Sequence, residues 1–235
     1  MVECFLSGDE RKGIVFMLKV VVYDSGYGGE LLADRLEAEL PIIQIIRVID
    51  WRNANALQTD PREARRIAKA DLSPYIGHVD LIVLANHLLT LTSLKYFRRK
   101  YENQRFVGLN LKKPTSPLKQ DTIVLTTKAV TRTINYYNFV FHLKKRVKTV
   151  TLDTWPEKID DGELTEQEIR DTLGNIANAG KRSQEVFLAC SQFSDIKSEL
   201  TKVFGHNLKI HDGFDDVYKE ICQTLRIRGG LKKRK

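Results

Sequence analysis

Eight polar side chains stand where strand-length apolar runs give way to helix-like spacing: Asp24 and Ser25, Asn86 and His87, Thr126 and Thr127, Cys190 and Ser191. A thiol can serve as nucleophile or as acid and base, an imidazole can do the same near neutral pH, and hydroxyl and amide groups are donors suited to a carboxylate. No lysine or arginine is among the eight, so they do not form a phosphate clamp. The five histidines show no HxH or HxxxH pattern and the three cysteines no CxxC spacing, so neither a metal site nor a disulfide framework is expected. Cys190 lies between an apolar run and a helical pattern, where the backbone dipoles of a helix start favour the thiolate; an unperturbed thiol has a pKa of about 8.5. A small buried core cysteine is the competing reading, and residue types alone leave both open.

The elements that must position these groups follow from hydrophobic spacing. In LKVVVYDSGYGGELL, Val20 to Tyr23 read as a strand buried on both faces. Asp24, Ser25, Gly26, Gly28 and Gly29 break it, and beyond Glu30 the residues Leu31, Leu32, Leu36 and Leu40 keep a helical period. Strand, glycine-rich turn and helix place Asp24 and Ser25 at a strand's carboxyl end, where open α/β sheets hold ligands. Backbone N–H groups at the helix start could meet an anion there, or Asp24 or Ser25 could simply cap the helix. The turn is neither GxGxxG nor a P-loop, so no nucleotide is implied.

Further strands are expected at Ile42–Ile49, Asp80–Ala85, Arg105–Leu109, Asp121–Leu125, Thr149–Leu152, Glu185–Ala189 and Leu208–Ile210. Helices are expected at Pro61–Asp71, from about Leu91 to Lys100, after Thr127 to about Asn138, from about Thr165, around Ile196 to Val203, and at Phe214–Leu225. Alternation of this kind predicts parallel sheets. The pattern pauses at Lys112–Lys119, which carries Pro114 and Pro117, and then begins again. The expected organisation is therefore two α/β lobes facing a shared cleft, each a mostly parallel sheet flanked by helices. Lobe one takes residues 17–103 with 207–225 and lobe two takes 104–206. Residues 1–16 are an extension and 226–235 a basic flexible tail.

At 42% hydrophobic and 29% charged residues, the chain is ordinary globular material rather than disordered. Its apolar runs fall far short of the roughly 20 residues that a membrane helix needs, and Glu3, Asp9 and Glu10 are unlike a signal peptide. No membrane association and a cytoplasmic location are expected. Of the formal charge of +8, six positive charges lie in RIRGGLKKRK at residues 226–235, leaving +2 elsewhere. That tail would supply weak, salt-sensitive contact with polyanions.

Five segments in order, VVVYDSGYGG, IVLANHLLT, IVLTTKAVTRTINYY, VFLACSQF and LKIHDGFDDV, resemble the aspartate/glutamate racemase superfamily, and glutamate racemase most of all, from Met17 to about Leu225. The resemblance implies two pseudo-twofold-related lobes, a small amino or carboxylic acid held between them, no cofactor, and two cysteines exchanging acid and base roles on opposite faces of the substrate Cα. Carried over by position, it implies substrate contacts from Asp24, Ser25, Asn86, Thr127 and Ser191 and a catalytic role for Cys190. Ala85 stands where the first catalytic Cys belongs, His87 where its Thr belongs, and Gln192 where a His belongs. Alanine cannot exchange a proton, so racemisation is expected to be impaired, with His87 the nearest second acid. Three readings are open: one-sided proton transfer at Cα of a small acidic amino acid, a single-cysteine decarboxylase or isomerase, or a non-catalytic descendant that binds a small acid or a partner. A homodimer is a further expectation.

Overall fold

The computed structural model describes residues 17–109, 122–143, 147–178 and 185–227, so the pause at Lys112–Lys119 and the extension at 1–16 lie outside the described residues. In chain order the first half comprises β1 (Leu18–Asp24), α1 (Tyr27–Glu39), β2 (Ile43–Ile49), α2 (Ala54–Thr59), α3 (Pro61–Leu72), β3 (Leu81–Leu84), α4 (His87–Lys100) and β4 (Phe106–Gly108). The second comprises β5 (Thr122–Thr126), α5 (Lys128–Thr131), α6 (Ile134–Leu143), β6 (Val147–Thr151), α7 (Trp155–Asp160), α8 (Glu166–Asn178), β7 (Glu185–Leu188), α9 (Lys197–Phe204) and β8 (Lys209–His211), and α10 (Phe214–Leu225) closes the chain.

Two four-stranded sheets result, ordered β2-β1-β3-β4 and β6-β5-β7-β8, with every pairing parallel. The two halves thus repeat one topology. Strand side chains alternate between faces. Val20, Val22, Leu81 and Val83 meet α1 and α10 on one face of the first sheet, while Val21, Tyr23, Ile82 and Leu84 meet α3 and α4 on the other. In the second sheet Ile123, Leu125, Val186 and Leu188 pack beneath α7, α8 and α9. Val124 and Phe187 form the opposite face with Phe139 of α6, and Leu88 of α4 inserts there from the first lobe.

Several expected boundaries move. α1 starts at Tyr27, so Gly28 and Gly29 lie inside its first turn rather than in a linker before Glu30. The helix expected after Thr127 is split into α5 and α6. The short helices α2 and α7 add to the expected set; α7 carries Pro156 near its start, where no intrahelical N–H bond is lost. Strand pairing also shifts the lobe limits: β4 joins the first sheet although it lies beyond residue 103, and β8 joins the second although it lies beyond 206. Only α10 returns to the first lobe, burying Phe214, Val217, Tyr218 and Ile221. Ile227, placed in the tail from sequence, packs against that same core and donates its N–H to Cys222 O at 2.9 Å. Among the described residues no helix is long and apolar enough to cross a membrane.

Candidate functional site

In each sheet the chain runs to one side of its first strand and then to the other, so the loops after β1 and β3, and after β5 and β7, diverge and leave a crevice at the strand carboxyl ends. The eight polar residues stand at those strand ends and in the turns and helix starts that follow them. The two crevices face each other across a tight cleft with a free volume of about 10 Å³, room for about one water molecule. Asn86, His87, Thr127, Cys190 and Ser191 line it, together with Gln58, Gln192, Leu88, Val130 and Ala189.

On the first-lobe side Asp24 and Ser25 are wholly buried. Asp24 Oδ1 accepts the Ser25 N–H at 2.7 Å, while Oδ2 finds no donor. Burial pushes the Asp24 carboxyl up to about 6, against the pull of the Ser25 amide and the nearby Ser191 and Asn86 side chains. Asn86 caps α4, its Oδ1 accepting from Leu89 N at 2.9 Å, and its Nδ2 donates to Ser25 Oγ at 3.2 Å. Gln58 of α2 approaches the same hydroxyl at 3.5 Å. His87 is 2% exposed and neither ring nitrogen has a partner; burial holds its pKa down at about 4, so the imidazole is neutral at physiological pH.

The start of α1 departs from both sequence readings. Neither Asp24 nor Ser25 caps it, because Gly26 holds the cap position in extended backbone without a side-chain bond. The Tyr27 N–H donates instead to Asp160 Oδ1 of α7, across the cleft, at 2.7 Å. The anion at this helix start is thus the chain's own carboxylate. The glycines permit the approach: a Cβ on Gly26 would lie 2.4 Å from Asp160 Oδ2, and one on Gly28 would lie 2.3 Å from the Ser191 carbonyl carbon.

On the second-lobe side Thr127 precedes α5 and lines the cleft without bonding the helix through its side chain. Thr126 is buried beneath it. Cys190 and Ser191 both donate to Gln192 Oε1, at 3.0 and 3.1 Å, and Gln192 Nε2 donates to Asp160 Oδ2 at 3.3 Å. The surroundings of Cys190 oppose the thiolate that a helix start would favour. Burial pushes the Cys190 thiol up, the Asp24 and Asp160 charges push the same way, and the Gln192 and Phe193 amides only partly oppose them. Cys190 leads into a four-residue 3-10 turn, Ser191–Ser194, whose dipole is too short to reverse desolvation. Ala85 is fully buried in the core under α1 and α10 and does not line the cleft.

Sequence reasoning missed Asp160 and Gln58, which sit on the short helices α7 and α2 rather than at strand ends. The only local signal was Pro156 marking a helix start. Among the described residues no three His, Cys, Asp or Glu side chains gather as a metal site would require.

Two matched parallel sheets closing on one strand-end cleft define a two-lobed α/β protein of the glutamate-racemase fold. The solved glutamate racemase of Escherichia coli, in complex with L-glutamate and the activator UDP-MurNAc-ala, superposes with a TM-score of 0.77 at 16% identity, over 91% of this chain and 84% of that one. That of Campylobacter jejuni does so with a TM-score of 0.74 at 18% identity, over 93% and 89%. No family model matches the chain. In sequence it is similar to glutamate racemase: the enzyme of Clostridium novyi is 25% identical over 199 residues, covering 81% of this chain and 77% of that protein.

Proposed function

We propose that the chain is a racemase-type protein that holds a small acidic amino acid in the interlobe cleft and exchanges the Cα hydrogen on one face only, without a cofactor. The observation that carries this reading is the convergence of Asn86 and His87 from one lobe with Thr127, Cys190 and Ser191 from the other on a single cleft. The relation to the glutamate racemase of Clostridium novyi supports the reaction class. Ser25, Asn86, Thr127 and Ser191 offer neutral donors for a carboxylate, and Asp24 Oδ2, buried and without a donor, suits an ammonium group. Bound ammonium would offset the negative charges that raise the Cys190 thiol and so favour the thiolate that takes the Cα proton. The proton returns from the same sulfur to the same face. Because no second thiol stands opposite among the described residues, configuration is retained and inversion is slow, each positioned acid or base being worth about 10²–10⁴-fold.

The test is incubation with L- or D-glutamate in D₂O, read by mass spectrometry and chiral chromatography. Deuterium at Cα of one enantiomer with retained configuration is the expected result. Exchange with equal inversion would overturn the one-sided mechanism and point to His87 as the opposing acid. A second reading, a non-catalytic binder of a small acid, is favoured by the buried, hydrogen-bonded state of the Cys190 thiol. It predicts binding without any exchange.

A further inference from the structure

Positive charge is concentrated in two stretches of the sequence. Residues 106–152 carry nine basic residues and one acidic, a formal +8, and Pro61–Arg105 carries nine basic and four acidic, a formal +5. Structure turns the Pro61–Arg105 segment into a face. At 100° per residue the solvent side of α4 runs from Arg98 through Lys95 and Arg99 to Tyr96 and Lys100, and there it meets α3. Lys69 and Arg66 of α3 extend the same surface, exposed like Lys95, Arg99 and Lys100.

The junction is rigidly built. Arg65 donates to Ser93 Oγ at 3.0 Å and to Thr92 O at 2.7 Å, which lays its guanidinium 4.9 Å over the Tyr96 ring. Lys100 Nζ stands 5.7 Å from the centroids of both Tyr96 and Tyr101. Arg66 is paired with Glu63 and Arg98 with Glu220, but among the described residues Lys69, Lys95, Arg99 and Lys100 form no ion pair. Attraction to the α4 carboxyl-terminal dipole accounts for the last-turn cations and not for Lys95 or Lys69.

We propose that this outer face of α3 and α4 binds the phosphate backbone of nucleic acid. The chemistry of the face selects that partner over two others. A docked acidic protein would need an apolar interface core and a bilayer would need a side chain to insert, yet among the described residues the exposed large apolar ones, Met17, Tyr27, Trp51 and Ile134, all lie outside this segment. Exposed cations without ion pairs, flanking the rings of Tyr96 and Tyr101, match a sugar-phosphate chain, and such contact is independent of base sequence. The face takes the carboxyl-terminal half of α4, whereas the cleft takes His87 and Leu88 at its amino terminus, and the inference does not depend on the proposed reaction.

The experiment is fluorescence anisotropy of labelled single-stranded and duplex DNA with the full-length chain across a salt series. Four phosphate contacts predict a loss of affinity of about 10²-fold between 50 and 200 mM salt. A combined Lys69→Gln, Lys95→Gln, Arg99→Gln, Lys100→Gln variant is expected to lose affinity about 10-fold or more at the lower salt and to flatten the salt slope. The charge-conserving variant with Arg at the three lysines is expected to keep both. Circular dichroism and melting of each variant confirm that folding is intact. The proposal is overturned if the wild-type chain does not bind DNA at low salt, or if the glutamine variant, folded, binds as the wild type does. It is equally overturned if neutralising Lys232, Lys233, Arg234 and Lys235 alone abolishes binding, or if phosphatidylserine vesicles capture the chain and DNA does not.

Discussion

Tyr27 at the first turn of α1 donates its backbone amide to Asp160 Oδ1 at the end of α7, joining the two lobes. Asp160 is half-buried, and its other oxygen accepts from Gln192, the residue that also holds the Cys190 and Ser191 donors. One carboxylate therefore ties a helix start in lobe one to the thiol loop in lobe two. Asp160→Ala removes a charge-assisted bond to a backbone N–H, and the expected cost is about 1–2 kcal/mol in urea denaturation. Unchanged stability would mean that the contact adds nothing to the closed state.

Asp24 and His87 should nearly hide each other in the pH dependence of stability. The Asp24 carboxyl, ordinarily at 3.8, is raised to about 6, so the folded state binds the extra proton and stability falls as pH rises from 4 to 6. His87, ordinarily at 6.5, is lowered to about 4, so the unfolded state binds the extra proton and stability falls as pH drops over nearly the same window. Each effect amounts to about 3 kcal/mol and the two have opposite signs. The wild-type chain is expected to show little net slope there. Asp24→Asn should unmask the loss toward acid, and His87→Asn the gain toward acid. Denaturation midpoints at several pH values check this, and parallel slopes in both variants would contradict it.

Two glycines in helices are expected to respond in opposite directions. A Cβ at Gly28 would lie 2.3 Å from the Ser191 carbonyl carbon, and backbone in the facing lobe cannot rotate away, so Gly28→Ala should cost about 1–3 kcal/mol and push the lobes apart. Gly174 in α8 has open space around it, and Gly174→Ala should stabilise by about 0.5–1 kcal/mol. Melting temperatures of the two variants, compared with wild type, decide the point.

The strand-end residues were legible because each follows a continuous apolar run, and a run such as Val20–Tyr23 or Glu185–Ala189 announces a strand whatever packs around it. The parallel two-lobed architecture followed from strand and helix alternation in the same way. Asp160 and Gln58 were not legible, since Gln58 reaches the cleft, and Asp160 the cleft residue Gln192, only through six-residue helices that no apolar run announces. The start of α1 was misplaced because glycines read as a turn, whereas here they are helical residues kept small by the opposing Ser191 backbone. The lobe limits moved because β8 and α10 are neighbours in sequence but serve different sheets, and no local pattern records which core an amphipathic helix will cover.

Cys190 offers the most direct view of the closed cleft. Its thiol is 7% exposed, donates to Gln192 Oε1 at 3.0 Å and is held protonated by its surroundings. An alkylating reagent needs both access and the thiolate. Iodoacetamide should therefore label Cys190 far more slowly than an unhindered thiol with a pKa of about 8.5, at a rate set by opening of the lobes. Asp160→Ala weakens the interlobe bond and frees Gln192 from its anchor. If opening becomes easier by about 1.4 kcal/mol, labelling should quicken about tenfold. Cys222, buried in α10 away from the cleft, serves as the internal control and should keep its wild-type rate. Peptide mapping of the alkylated sites separates the two positions. Equal acceleration at both would indicate loosening of the whole fold, and no acceleration at Cys190 would show that the Asp160 contact does not govern access to the thiol.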